Sequence, residues 1–203
     1  MKYTTIISCI TILLFSCTSK NDSEVSESKQ SIDSTVITLA NLPDASIFNL
    51  TSKWITQQKD SIALIKFAGK ITVAAMVFTH CQSACPRIVS DIQRIENSLT
   101  DKEKEQVQFL IISMDPERDT PEVFQKFYKE YKLNKHWTLV SSNSDATIEI
   151  ANVLGVKVKK LSDGGFDHSN TIHILNKKGV IVYQQNGLEV SPDETIKQIK
   201  LLE

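Results

Sequence analysis

Ile71-Thr72-Val73-Ala74-Ala75-Met76-Val77-Phe78-Thr79-His80-Cys81-Gln82-Ser83-Ala84-Cys85-Pro86-Arg87-Ile88-Val89 is the stretch whose reading decides the fold. Residues 71–78 are apolar, rich in β-branched side chains and short, which is the pattern of a buried strand. Ile88, Val89, Ile92, Ile95 and Leu99 recur at helical spacing and predict a helix over 86–99. Pro86 suits its first position, where a missing N–H leaves no intrahelical bond unmade. Two cysteines therefore bracket a strand-to-helix turn. Cys85 stands at the helix entrance, where unpaired N–H groups and the positive end of the helix dipole favour a thiolate.

Outward from that unit, residues 101–104 read as a solvated turn and 107–113 as a second strand. The loop at 114–120 ends on Thr120, placed to cap a helix that opens at Pro121 and carries Val123, Phe124, Phe127, Tyr128 and Tyr131 as its apolar stripe. A strand is predicted at 137–140 and a helix over 145–154 with Ile148, Ala151 and Leu154 inward. Asp163-Gly164-Gly165 marks a turn, and 171–175 with 180–184 make a hairpin. Ser191-Pro192-Asp193-Glu194 reads as a capping box opening a last helix. Ahead of all this, 46–50 and 53–56 suggest a leading hairpin, followed by the apolar stretch 62–67. Alternating strands and helices closed by a hairpin and a helix predict an α/β, thioredoxin-like fold. Loops at the carboxyl ends of its parallel strands would share one edge of the sheet.

With 203 residues the chain has room for one ordinary domain and extensions. A formal net charge of -1 and no basic cluster argue against nucleic acid and against an anionic membrane surface as partners. Lys2 precedes an apolar segment at 6–15, too short to span a bilayer, which takes roughly 20 helical residues. Leu14-Phe15-Ser16-Cys17 resembles the lipobox of bacterial lipoproteins. That resemblance implies that Cys17 is acylated and becomes the new N-terminus; the plainer alternative is an ordinary signal peptide with an incidental cysteine. Residues 18–35 hold almost nothing apolar and predict a flexible linker. The expected organisation is a lipoprotein signal peptide at 1–17, a linker at 18–40 and a thioredoxin-like domain at 41–203, with no internal repeat. Cys9 leaves with the signal peptide, so Cys81 and Cys85 are the only thiols of the folded domain. A disulfide closing so short a loop stabilises little, and chemistry is the better reason for the pair.

Cys-x-x-x-Cys is one residue longer than the redox motif Cys-x-x-Cys. At a helix entrance, positions i and i+4 share a face, so both sulfurs can meet at one point. Two soft donors suit Cu(I), Zn(II) or an iron–sulfur centre. Structural zinc usually takes four protein ligands, and the thiols end at two. Four histidines compete for a third position. His136 reads as surface, His80 as pointing away from its neighbour Cys81, and His173 as a packed or half-exposed strand residue. His168 is favoured, in a flexible loop feeding the hairpin, where a thioredoxin-like sheet would turn it toward the cysteines. Asp167 could orient its imidazole.

Residues 78–86 resemble the FTHCxxxCP signature of the Sco/SenC copper-chaperone family. Ser113-Met114-Asp115-Pro116-Glu117-Arg118-Asp119-Thr120 is similar to that family's S-x-DPERDT segment, and Asp167-His168-Ser169 to its Asp-His-Ser/Thr. The resemblance runs from about residue 46 to the C-terminus. It implies a copper-binding domain in which Cys81, Cys85 and His168 hold copper as Cu(I), and leaves open whether Cu(II) is also held. It further implies delivery to the dinuclear copper site of a haem–copper oxidase (cytochrome c oxidase assembly). The expected partner is the copper-site subunit of a respiratory oxidase or another cuproprotein. Members are tethered to a membrane outside the cytoplasm, facing the periplasm or cell exterior, which agrees with a lipid on Cys17. Gln82-Ser83-Ala84 departs from the Pro-Asp/Glu common after the first cysteine, and leaves the client open.

The alternative function is a thiol–disulfide oxidoreductase using Cys81 and Cys85 to reduce a client's copper-site cysteines. Such enzymes place a cis-proline just before the hairpin, and none of Pro43, Pro86, Pro116, Pro121 or Pro192 falls there. A thiol peroxidase is disfavoured because Thr79 and Cys81 are one residue too close. The loop at 115–119 is read as a rigid turn held by an internal Arg–carboxylate pair, against the competing reading of a docking surface.

Overall fold

The computed structural model describes residues 37–203. The expected lipobox with Cys17, and the linker as far as residue 36, lie outside the described residues. At the start of the domain, 47–49 coil into a 3-10 turn because the Ser46 hydroxyl accepts from the Phe48 N–H. The expected hairpin of 46–50 with 53–56 is therefore absent. Instead β1 (Trp54–Thr56) pairs forward with β2 (Ser61–Ile62), and 64–67 form a second 3-10 turn.

Strand β3 (Ile71–Val77) is buried along its whole length, as an unbroken apolar run requires when both faces are covered. Helix α1 (Ala84–Asn97) begins two residues before the predicted start, which leaves Pro86 in the first turn, where no N–H has a partner. The stretch read as a solvated turn is a short helix, α2 (Asp101–Gln106). Thr100 and Glu103 cap it reciprocally, and its charge density hid this. Strand β4 (Val107–Ser113) and helix α3 (Pro121–Glu130) follow, with the Thr120 hydroxyl accepting from Val123 N–H as expected.

Beyond β5 (Trp137–Ser141), helix α4 (Ser144–Leu154) buries Thr147, Ile150, Ala151 and Leu154, an i, i+3, i+4, i+7 face. Ile148, expected inside, is 61% exposed on the helix flank. An unpredicted two-stranded ribbon, β6 (Val158–Lys160) with β7 (Phe166–His168), comes next. The chain closes with the hairpin β8 (Thr171–Leu175) and β9 (Ile181–Asn186) and helix α5 (Asp193–Lys200). The capping box expected at 191–194 does not form. The Ser191 hydroxyl donates to the Asp193 carboxylate at 2.8 Å, and Pro192 stands at the cap.

The main sheet runs β2-β1-β5-β4-β3-β8-β9. Strands β3, β4 and β5 are parallel, and β8 lies antiparallel to β3. Right-handed crossovers put α1 and α3 on one face, and Gln93 of α1 donates to the Tyr131 carbonyl at the end of α3. Alternation along β9 separates the faces. Gln185 accepts from Thr195 of α5, and Gln184 donates to the Leu154 carbonyl of α4. This is the mixed α/β, thioredoxin-like arrangement that the sequence predicts. No helix among the described residues is long and apolar enough to cross a membrane. Because β3 and β4 pair in register from Ile71↔Val107 to Val77↔Ser113, they end together. The cysteine turn and the loop after β4 therefore leave the sheet side by side.

Candidate metal centre

Past the end of β3, buried Phe78 accepts the Cys81 N–H at 3.1 Å and closes the turn. The Cys85 N–H, at the entrance of α1, donates to Cys81 Sγ at 3.4 Å. His168 arrives from the end of β7, its Nε2 3.9 Å from Cys85 Sγ. One ligand atom from each of Cys81, Cys85 and His168 lies within 4.8 Å of the others. Both cysteines are free thiols. His168 Nδ1 is 3.1 Å from the Ser169 carbonyl, which can only accept, so Nδ1 carries the proton and Nε2 turns its lone pair toward the sulfurs. Asp167, expected to orient the ring, is exposed on the other side of β7, and the Ser169 carbonyl takes that part. Phe78 meets His168 edge-on at 6.1 Å and packs on Phe166 at 5.0 Å, forming an apolar wall behind the imidazole.

The two thiols differ. Burial pushes the Cys81 thiol up, but the N–H groups of Cys85 and Ser83 outweigh it and bring the thiol below its ordinary value. Burial drives the Cys85 thiol far above its ordinary value, with the neighbouring Cys81 charge adding to the rise. Of the two sulfurs, Cys81 therefore gives up its proton the more readily, and Cys85 keeps its own until a cation displaces it. The other histidines stand apart. His80 is exposed, its Nδ1 3.3 Å from the Thr79 hydroxyl. His136 lies at the start of β5, at the opposite edge of the sheet, 3.9 Å from Glu105. His173 is completely buried in β8, its Nδ1 3.2 Å from the Gln184 amide, and burial lowers its pKa to about 4.

Sequence reasoning missed how much the loop after β4 holds. Asp119, 1% exposed, accepts from both the hydroxyl (2.6 Å) and the N–H (3.1 Å) of Thr79, and from the Ser113 hydroxyl at 2.6 Å. Burial raises its pKa against the pull of those donors. Arg118 pairs through Nε with Asp115 and donates through its terminal nitrogen to the Gly164 carbonyl. The rigid turn with an internal Arg–carboxylate pair is present. It also reaches both segments that carry ligands, across sequence separations no local pattern reveals. On the far side of Phe166 a groove of about 290 Å³ runs between this loop, α4 and β6, floored by Met114, Ile148, Ala151 and Val158.

A model of the SCO1/SenC family matches residues 45–202. The SCO1 protein homolog of Bacillus subtilis is 26% identical over 149 residues, covering 71% of this chain and 77% of that protein. Among solved structures, BsSco, described as a member of the Sco family of cytochrome c oxidase assembly proteins with a disulfide switch, is 25% identical. It superposes with a TM-score of 0.64 over 74% of this chain and 90% of its own. ScoI of Bradyrhizobium japonicum, solved with copper bound, is 24% identical with a TM-score of 0.61, over 75% of this chain and 97% of its own.

Proposed function

Because the chain belongs to the SCO1/SenC family, we propose that it is a copper metallochaperone that holds copper between Cys81, Cys85 and His168 and hands it to the dinuclear copper site of a haem–copper oxidase. The observation that carries this reading is the approach of two sulfurs and an imidazole nitrogen to within 4.8 Å, from segments 83 residues apart in sequence. The donor set fits the cargo: two soft sulfurs and one nitrogen suit Cu(I), and the imidazole makes Cu(II) tolerable as a second state. Zinc would ordinarily take a fourth protein ligand. The half-buried Cys81 leaves one side of the cluster open, so a thiolate or imidazole of the receiving subunit can enter as a ligand here leaves. Delivery then proceeds by ligand exchange without free ion. The copper-bound ScoI and the oxidase-assembly role of the BsSco family support the same reading.

A second reading is favoured by the inequality of the two thiols. Cys81 as thiolate can attack a client disulfide, giving a mixed disulfide and one client thiolate. Cys85, once deprotonated, displaces the second client sulfur. The client leaves as a dithiol, and this chain keeps the two sulfurs as a disulfide. We further propose that Cys17 carries a lipid that holds the domain at a membrane surface outside the cytoplasm; Cys17→Ser should release the protein from the membrane fraction.

The deciding experiment is metal analysis of reduced protein lacking residues 1–17, with X-ray absorption to count donors. One copper per chain with two sulfur neighbours and one nitrogen is expected. Cys81→Ser and Cys85→Ser should each abolish retention, and His168→Ala should weaken it. Full occupancy in the His168 variant, with unchanged scattering, would remove the third ligand. Rapid reduction of a client disulfide that persists in that variant would favour the second reading.

A further inference from the structure

The ribbon that carries His168 hydrogen-bonds to no strand of the main sheet. Its position against the cysteines therefore depends on side-chain contacts. These include Phe166 and His168 on Phe78, Val158 against the core, an exposed Lys160–Glu117 ion pair at 2.9 Å, and Arg118 on the Gly164 carbonyl. Exposed pairs of the Lys160–Glu117 kind stabilise little. Arg118 differs because its anchor is buried. Asp115 is 1% exposed, and its own N–H donates to Ser113, whose hydroxyl donates to Asp119. Asp119 in turn holds Thr79, two residues before Cys81. A continuous chain of hydrogen bonds thus runs from the cysteine turn through one loop to the turn four residues before His168. Only a guanidinium, with donors on Nε and on its terminal nitrogens in a fixed plane, can bond Asp115 and Gly164 together. Gly164 adopts φ +82°, a backbone conformation that side-chain-bearing residues rarely take, and this turn presents its carbonyl to Arg118.

Resting on the copper reading above, we infer that Arg118 is a positioning residue: it latches the β6–β7 ribbon to the cysteine-bearing edge and so sets the reach of His168 to the two sulfurs. With the latch closed the site has three donors. Released, the ribbon carries the imidazole away while the sheet stays folded, and the cargo rests on two sulfurs alone. Arg118 thereby governs how readily copper is given up.

Two measurements on the reduced domain test this. In the metal-free protein, Arg118→Met should speed amide hydrogen exchange across 158–168 by about tenfold or more, the scale of one lost charge-assisted hydrogen bond, while β3 and β4 keep their protection. In competition with a chromophoric Cu(I) chelator, Arg118→Met should lower Cu(I) retention by about tenfold, as removal of a ligand-orienting group commonly does. Arg118→Lys should not restore it. In a His168→Ala background the Arg118 substitution should have no further effect. Unchanged exchange in the ribbon, full rescue by lysine, or an equal loss in the His168→Ala background would each overturn the latch. Failure of the unsubstituted protein to bind Cu(I) would instead remove the copper reading, and the exchange result alone would then decide whether Arg118 holds the ribbon.

Discussion

Two titratable groups, Cys85 and His173, are fully buried, and burial moves their pKa values in opposite directions. At Cys85 it favours the neutral thiol, so the core is not asked to hold a charge until a cation arrives to share it. At His173 it favours the neutral imidazole, lowering the pKa to about 4 from an ordinary 6.5, with Nε2 left without a partner. The consequence for stability has a definite sign. Above pH 6.5 the ring is neutral folded or unfolded and contributes nothing to the pH dependence. Between 6.5 and about 4 only the unfolded chain takes up the proton, so stability falls as the pH is lowered through that window. Full depression of the pKa corresponds to roughly 3 kcal/mol. Urea unfolding of the metal-free domain at pH 7.5 and at pH 4.5 should show this loss in the natural protein, and His173→Asn should lose markedly less. Equal losses in the two proteins would assign the acid sensitivity to the carboxylates.

Among the elements, the loop between β4 and α3 does more structural work than its length suggests. Asp119 collects three donors from β4 and the cysteine turn, so Asp119→Ala would strand the Thr79 N–H and the Ser113 hydroxyl in a buried place. A loss of roughly 1–3 kcal/mol is expected, measured by chemical denaturation; a change within a few tenths would mean that water replaces the carboxylate. The Arg118–Asp115 half of this loop was legible, because an arginine between nearby acids suggests a local pair. Its reach to Thr79 and Gly164 was not, because those partners lie 40 and 46 residues away. The same distinction explains the rest. Strands β3 and β4, helices α1 and α3 and the closing hairpin write their burial into a local period. The ribbon does not: β6 is three residues long with two lysines, and it follows its own turn rather than the core. Ile148 misled for a related reason, since an apolar residue one position off the buried stripe is indistinguishable by composition from one on it. The cysteine pair was readable from spacing, whereas the proximity of His168 depends on the ribbon's packing against Phe78.

At the scale of the whole molecule, the candidate ligand atoms come from three places: a turn, the first turn of a helix and the end of a ribbon. One rigid sheet brings them together. Strand β3 lies between β4 and β8, so the edge that carries Cys81 is braced from both sides before any metal is present. A site assembled by the fold, and absent from an unfolded chain, must in return stabilise the fold when it is filled. At free Cu(I) a thousandfold above its dissociation constant, linkage gives about 4 kcal/mol. Thermal unfolding of the reduced domain, with Cu(I) buffered by a chelator, should therefore shift upward by several degrees and grow with the logarithm of free Cu(I). The shift should be smaller in His168→Ala and absent in Cys85→Ser. The size of the His168 decrement measures how much of the binding energy depends on the ribbon being in place. An unfolding temperature indifferent to Cu(I) in the natural protein would mean that the unfolded chain holds the ion as tightly as the folded one, and that the sheet contributes nothing to the site.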